Sequence, residues 1–473
     1  MEITTNKINN IFKTPRGYKV THIFGTSYSV NGSVLNDVIK QTVIHRNEKF
    51  YNNVLFVCQN NRYVGGLGKG DSDPVARILF LEGRIIGVEQ SGSFHPKVWI
   101  FRYENKKEAE KILYRVAVLS RNTTSQNMLE GGIVLEGFVG TAKTNSNQGL
   151  IDFINSIEAV KDDKVVKQIV EDMEKVEFKT DGFDSYAFLP TKNRTLSAGI
   201  KEDIKENENI ENSVAISPFL GTKNFLNVKN IITRQAEYTK EVKTNFQNVD
   251  FFWYIEDTDS ENTSEQVEND STYSFSGNEH PLHAKVYAFD YDDKSVLYAG
   301  SANYSENGFN NNTELMIKIT STETQFADVI MNSFNGRLEQ IDNIYDSDKE
   351  EPIEPKELPK LDISQEEKNE EREALLIKIK NDINNDLSDN MLHILGVGVS
   401  KPKNSDSKEN DDDKTTIFNK SIKDRPDLLA SMIKVYLDGE LDKTKLENLE
   451  NNAEEYGSEK YKELIECFKK MVK

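Results

Sequence analysis

Two short stretches carry residue types suited to phosphoryl chemistry. FHPKVWIF (94–101) sets a histidine two residues before a lysine, and LHAKVYAF (282–289) does the same in nearly the same letters. As strands, their period-two geometry turns His95 and Lys97 to one face, and His283 and Lys285 likewise. Each pair is followed by Ser-x-Asn: Ser120 and Asn122 in LSRN, Ser301 and Asn303 in GSAN. Two such half-sets meeting across a pseudo-two-fold axis bring together two imidazoles, two amines, two amides and two hydroxyls. A neutral imidazole can attack phosphorus and form a phosphohistidine. A protonated one can give its proton to the leaving oxygen and then take one from the attacking water. Lysines and amides hold the non-bridging oxygens as charge builds. A carboxylate can orient each histidine through its other ring nitrogen. Glu314 is placed to do so for the second copy, and Glu130 or Glu136 for the first. This scheme needs no metal or cofactor, and no metal-ligand spacing is visible.

A single His-x-Lys reads as a half-exposed polar pair; the repetition in matching contexts gives it weight. Other features read as structural. VGGLGKGDSD (64–73) lacks phosphate-loop spacing. His22 reads as a strand residue, His280 as a loop histidine, and Trp99 and Trp253 as core.

The elements around the motifs repeat too. YKVTHIFGTSYS (18–29) and NNVLFVCQN (52–60) read as strands, with a helix across SVLNDVIKQTVI between them. RILFLEGRIIGVEQ (77–90), FHPKVWIFRY (94–103) and YRVAVLS (114–120) read as further strands. In the second part, SVAISPFL (213–220) parallels THIFGTSYS, VDFFWYI (249–255) parallels NVLFVC, and SVLYAGSAN (295–303) parallels RVAVLSRN (115–122). The expected fold is α/β, two copies of one unit. Residues 155–178 read as helical, 190–212 as a polar connector and 256–280 as an acidic loop. The expected divisions are 1–178 and 179–345 for the two repeats and 346–372 for an acidic linker. Residues 373–473 are expected to form a helical C-terminal region with a disordered acidic segment near 400–416.

These motifs resemble the phospholipase D superfamily, whose signature is His-x-Lys-x4-Asp followed by Gly-Ser-x-Asn, twice. The second copy fits throughout: His283, Lys285, Asp290, Gly300, Ser301, Asn303, then Glu314. The first departs, with Arg102 at the Asp position and Leu119 at the Gly. Loss of that Asp is familiar in the tyrosyl-DNA phosphodiesterase branch, to whose pattern SRN and SANYS are similar. SRNTTSQNMLEGGIVLEG is also similar to bacterial nuclease-like members, with Glu130 at the acidic position and Glu136 in the VLEG piece. The resemblance covers about residues 1–345. It implies two duplicated mixed-sheet halves flanked by helices, with the site at their interface. It implies metal-independent phosphodiester cleavage or transfer, with His95 as nucleophile and His283 as acid. Lys97, Asn122, Glu130, Lys285, Asn303 and Glu314 complete the catalytic set, and Ser120, Ser301 and Arg121 bind substrate.

Bulk properties narrow the class. The 473 residues are 37% hydrophobic and 29% charged, as in a soluble globular protein with polar linkers. No apolar run approaches the ~20 residues of a membrane span. The N-terminus has no apolar signal core. Cys58 and Cys467 read as reduced thiols, which points to the cytoplasm. The net charge of −20 argues against general stickiness to nucleic acid, though a cleft can still be basic. The expected function is a DNA-cleaving nuclease, in bacterial restriction or anti-phage defence, with any ATPase partner on a separate chain. The alternatives are a phospholipase or phosphatidyl transferase, and a catalytically degenerate binding or assembly module.

Overall fold

The computed structural model describes residues 11–42, 51–60, 62–64, 74–123, 129–191, 196–205, 209–255, 282–334 and 336–344, together with Arg372, Ala374 and Leu375. All but the last three, which are helical, belong to one compact unit. Apart from those three, the expected linker and C-terminal helical region lie outside the described residues. So do the 256–280 loop, His280, Cys467 and all but the first residue of VGGLGKGDSD.

Runs rich in Val, Ile, Leu and Phe form two mixed sheets. The first half contributes β1 (Tyr18–Ser27), β2 (Val30–Asn31), β3 (Val54–Gln59), β4 (Tyr63–Val64), β5 (Ile85–Val88), β6 (Val98–Asn105), β7 (Ile112–Leu119), β8 (Gly132–Val139) and β9 (Val176–Phe178). The second contributes β10 (Ser185–Pro190), β11 (Ile210–Ile216), β12 (Asn230–Ile232), β13 (Phe251–Ile255), β14 (Val286–Tyr291), β15 (Ser295–Gly300), β16 (Leu315–Ser321) and β17 (Leu338–Gln340). The seven-stranded sheet runs β5-β3-β1-β6-β7-β8-β9, the eight-stranded one β10-β16-β15-β14-β11-β12-β13-β17, and β2 pairs with β4. In both large sheets three parallel strands adjoin an antiparallel meander. The chain is therefore α/β with two duplicated mixed-sheet halves flanked by helices, as expected.

The repeat is offset from the letter-by-letter reading in one place. Phe251–Ile255 occupies the sheet position of β5, and the counterpart of NVLFVC is β12. β12 is three residues long and begins with Asn, too short to show periodicity. Other boundaries move as well. Residues 74–81 are helical, with Pro74 at the first position and Gly83 at φ 63° just past the end. The 155–178 segment takes in the end of a helix (Gln148–Asn155), a second helix (Lys164–Met173) and β9. The supposed connector at 190–212 holds a helix, Leu196–Lys205, and the start of β11. Both His-x-Lys segments are extended lead-ins that end where β6 and β14 begin.

One apolar core crosses the halves, taking Val116, Val118 and Leu135 from the first sheet and Leu297, Ala299 and Ile317 from the second. The halves therefore do not bury their apolar faces independently.

The signature Asp and its replacement both serve helices. Asp290, 2% exposed, accepts from Ala327 N (3.0 Å), Asp328 N (3.0 Å) and Ser295 Oγ (2.5 Å), while Ser295 Oγ accepts from Phe326 N (2.9 Å). These N–H groups open helix Phe326–Ser333, so the β14–β15 hairpin caps it from below. In the first half Arg102 meets the other end of a helix. It donates to Asp172 (2.9 Å), in the last turn of Lys164–Met173, and to Glu104 and Thr21. The Asp-to-Arg departure thus answers a helix presented by its opposite end and does not touch the histidines. Asp290→Ala is expected to cost about 2–4 kcal/mol of unfolding free energy. Urea denaturation should show this as a lower midpoint with an unchanged slope.

Candidate active site

The two His-x-Lys segments are built alike. Lys97 Nζ donates to His95 O (2.6 Å) and Lys285 Nζ to His283 O (2.8 Å). Lys97 O accepts from Leu119 N (2.8 Å) and Lys285 O from Gly300 N (3.2 Å). Pro96 lacks an N–H, and Thr26 Oγ1 closes the gap by donating to Pro96 O (3.1 Å) and accepting from Val98 N (3.0 Å).

The main chain then crosses between halves. His95 N donates to Thr313 O (2.9 Å), and His283 N donates to Leu129 O (2.9 Å). Phe94 bridges Thr313 and Leu129 bridges Leu282 in parallel. This sets Glu314 beside His95 and Glu130 beside the His283 backbone, which reverses the expectation that each glutamate serves its own copy. The reason is topological: the residue before each glutamate pairs with the residue before the opposite histidine.

Glu314 is fully buried, and its carboxylate lies 2.9 and 3.0 Å from His95 Nδ1. Thr191 Oγ1 accepts from its N–H (2.9 Å), and Asn312 Nδ2 donates to its Oε1 (3.2 Å). A carboxylate only accepts, so His95 carries its proton on Nδ1 and turns a lone pair on Nε2 outward. His283 is set differently. Its Nδ1 lies 3.1 Å from Lys285 Nζ, and a lysine donating there leaves the proton on Nε2. Glu130 is instead paired with Arg121 (2.5 Å). Glu136 pairs with Arg115 (2.6 Å), its side chain 41% exposed, and drops out as a candidate.

Ser120 and Ser301 are fully buried. Ser120 Oγ accepts from Gly131 N (3.0 Å), and Ser301 Oγ accepts from Leu315 N (3.1 Å). They fasten the residue after each glutamate and are not substrate-facing, which corrects their assignment as binding residues. Asn122 is 8% exposed. The Asn303 amide oxygen is buried with no hydrogen-bond partner among the described residues. An amide so placed can serve an incoming oxygen or its proton. The Gly-to-Leu departure is compensated across the strand pair. A Cβ on Gly300 would meet Leu315 O at 2.4 Å, beside Met316, whereas Leu119 faces Gly132. One glycine and one large side chain fill the space in each half, on opposite strands.

Two neighbours escaped the reading by motif. Arg234, following β12, donates from Nη2 to Leu282 O (2.9 Å) and lies 4.6 Å from the Phe219 ring centroid. Its topological counterpart is Gln59, whose Oε1 accepts from Phe94 N (2.7 Å). Each steadies the residue before a histidine, but only one is a cation. Aligning β12 with β3 would have paired them, and that alignment required the sheet order. Tyr28 sets its ring 5.2 Å from that of His95, with Arg62 5.1 Å over the tyrosine.

The cleft is rich in positive groups. Burial lowers the pKa of His95, which Glu314 partly opposes and Lys97 reinforces. Burial, then Lys285, Lys97, Arg234 and His95, hold His283 well below its usual range. Burial and then Lys97 push Lys285 well down. Among the described residues no group of three His, Cys, Asp or Glu is placed to hold a metal ion, and no helix is long and apolar enough to cross a membrane.

Residues 230–338 match the family model described as cardiolipin synthase, PLD-like domain. This span includes Arg234, His283, Lys285, Asn303 and Glu314. No curated protein sequence matches the chain. Among solved structures, yeast tyrosyl-DNA phosphodiesterase is similar at 12% identity and TM-score 0.44, over 68% of this chain and 88% of that one. Phosphatidylserine synthase of Haemophilus influenzae is similar at 10% identity and TM-score 0.37, over 71% and 84%. Polyphosphate kinase of Porphyromonas gingivalis is similar at 11% identity and TM-score 0.40, over 80% and 51%.

An anion entering this cleft would raise the proton affinities that burial and neighbouring cations lower. Inorganic phosphate is therefore expected to bind with proton uptake at neutral pH, and more tightly as pH falls. Calorimetric titration in buffers of different ionisation enthalpy measures the protons taken up; proton release would contradict the electrostatics.

Proposed function

We propose that the chain, whose residues 230–338 match the PLD-like family model, is a metal-independent nuclease of the phospholipase D type that cleaves DNA through a phosphohistidine at His95. The observation that carries this reading is the unlike partner at Nδ1 of the two histidines, a buried carboxylate for His95 and an amine for His283. His95 Nδ1–H is held by the buried Glu314, which leaves Nε2 as a nucleophile. His283 has Lys285 at Nδ1, which leaves Nε2–H toward the cleft. His95 Nε2 forms the bond to phosphorus as the bond to the leaving oxygen breaks, and His283, protonated on both ring nitrogens once the anionic substrate raises its proton affinity, gives its Nε2 proton to the leaving oxygen and is left neutral. His283 then takes a proton from water, the water oxygen bonds phosphorus, and the P–N bond breaks to free His95. Lys97, Lys285, Asn122 and Asn303 steady the non-bridging oxygens.

Tyr28 and Arg62 support a nucleic-acid substrate. A partly exposed aromatic ring beside the nucleophile, with a guanidinium over it, is the pairing that stacks an unpaired base. The likeness of SRNTTSQNMLEGGIVLEG to bacterial nuclease-like sequences supports a role in restriction or anti-phage defence, with any ATPase on a separate chain. Phosphatidyl transfer uses the same residues, and the cardiolipin synthase description of the matched family favours it as the second reading.

Labelled single- and double-stranded DNA and RNA, and phosphatidylglycerol vesicles, incubated in EDTA separate these readings. Cleavage of DNA is expected, with none by His95→Ala, and His283→Ala should accumulate a covalent phospho-enzyme at His95. Turnover of vesicles alone would replace the nuclease reading with the lipid one, and no turnover of any would indicate a degenerate site. Tyr28→Ala is expected to lower kcat/KM for a single-stranded oligonucleotide by roughly 5- to 150-fold, the value of one base stack. The loss for bis(p-nitrophenyl) phosphate should be smaller.

A further inference from the structure

The backbone of the site is symmetric where its side chains are not. Leu129 and Thr313 each accept from the histidine N–H of the opposite half (2.9 Å both). Gly131 N and Leu315 N each bond the motif serine of their own half. Glu130 and Glu314 therefore hold equivalent main-chain positions, each next to the other half's histidine. Glu314 fulfils that position and binds His95 Nδ1. Glu130 is taken by the Arg121 guanidinium at 2.5 Å, with both side chains mostly buried. The position of Arg121 in the second half is Ala302, so nothing equivalent competes for Glu314.

We propose that Arg121 is a latch on the acid histidine: its ion pair withholds Glu130 from His283 in the free protein, and the anionic oxygens of a bound phosphodiester draw the guanidinium away, releasing Glu130 to accept a hydrogen bond from His283 Nδ1. Glu130 is then a positioning residue acting through His283. The inference rests on the phosphodiesterase reading for its trigger, the phosphate, but the latch itself is a property of the protein alone.

The proton balance is simple. In the latched state His283 carries one proton, on Nε2. When Glu130 arrives, Lys285 Nζ gives up its bond to Nδ1 and keeps the one to His283 O, and His283 takes a second proton from solvent at Nδ1 to become an imidazolium with Nε2–H facing the leaving oxygen. After that proton is given up, Nδ1–H stays on Glu130 and the Nε2 lone pair faces water as a base. The same residue thus becomes acid and then base without rotating. The groups facing His283 are Lys285, Lys97, Arg234 and His95, and those facing Glu130 are Arg121 and Lys285. Among the described residues, the charged groups that act most on His283 all disfavour the imidazolium, and a carboxylate would stabilise it. An opposite charge at hydrogen-bond distance favours the charged form by at least about tenfold in proton affinity.

The test is nitrogen NMR of the full chain with ring-15N histidine, assigned through His283→Gln. Neutral His283 is expected to carry its proton on Nε2 in the wild type and on Nδ1 in Arg121→Ala. It should return to Nε2 in Arg121→Ala/Glu130→Gln. Arg121→Gln, which keeps a polar side chain, should repeat the Arg121→Ala result and serves if the alanine variant does not fold. Inorganic phosphate added to the wild type should move His283 toward imidazolium with Nδ1–H bonded. A tautomer unchanged in both Arg121 variants, or a switch that survives loss of Glu130, overturns the latch. A tautomer switch in a protein that cleaves no diester would leave the latch standing and refute the phosphodiesterase reading instead.

Discussion

Both His-x-Lys segments are tied to the opposite half by their own main chain. His95 N–H goes to Thr313 and His283 N–H to Leu129. A buried amide needs an acceptor, and here the acceptor lies across the pseudo-two-fold axis. The next residue along each accepting segment is a glutamate, so one backbone contact also delivers the carboxylate that can orient the opposite histidine. Separating the halves would leave two donors, a buried carboxylate and the shared core of Val116, Val118, Leu297 and Ile317 without partners. The site and the packing of the halves are one structural event.

On that symmetric frame the side chains diverge. Gln59 and Arg234 hold equivalent carbonyl or amide groups, but only the second brings charge. Arg102 and Asp290 meet opposite ends of helices. Leu119 with Gly132 and Gly300 with Met316 divide the same volume in opposite ways. Arg121 claims a carboxylate, whereas Ala302 leaves one free. Phosphoryl transfer through a covalent histidine needs a nucleophile with an open lone pair and an acid with a proton to give. A strictly symmetric pair would offer the same state twice. Duplication supplies matched geometry, and divergence at a few contacts gives the two histidines unlike partners at Nδ1.

Much of this was legible in the letters. The repeated His-x-Lys and Ser-x-Asn spacings picked out residues that the fold brings together, because period-two geometry and strand-end turns are local consequences of sequence. The α/β class and the duplication followed from runs such as VLFVC and VYAF and from their recurrence. Elements whose signal is short or ambiguous were misread. β12 is three residues long, and the apolar RILFL run suits helix or strand alike until Pro74 and Gly83 mark its ends.

What the sequence determined by itself was which side chains are available and which pairs share a strand face. Only the tertiary structure decided whose partner each becomes. Glu314 belongs to the second repeat by chain order and to His95 by contact. Ser120 and Ser301 look like substrate ligands in a motif and prove to be backbone fasteners in the fold. The physical reason is that local geometry reaches only a few residues, whereas ion pairs and hydrogen bonds form through space. Residues 219 positions apart, such as His95 and Glu314, meet only after two sheets have packed and their register is set.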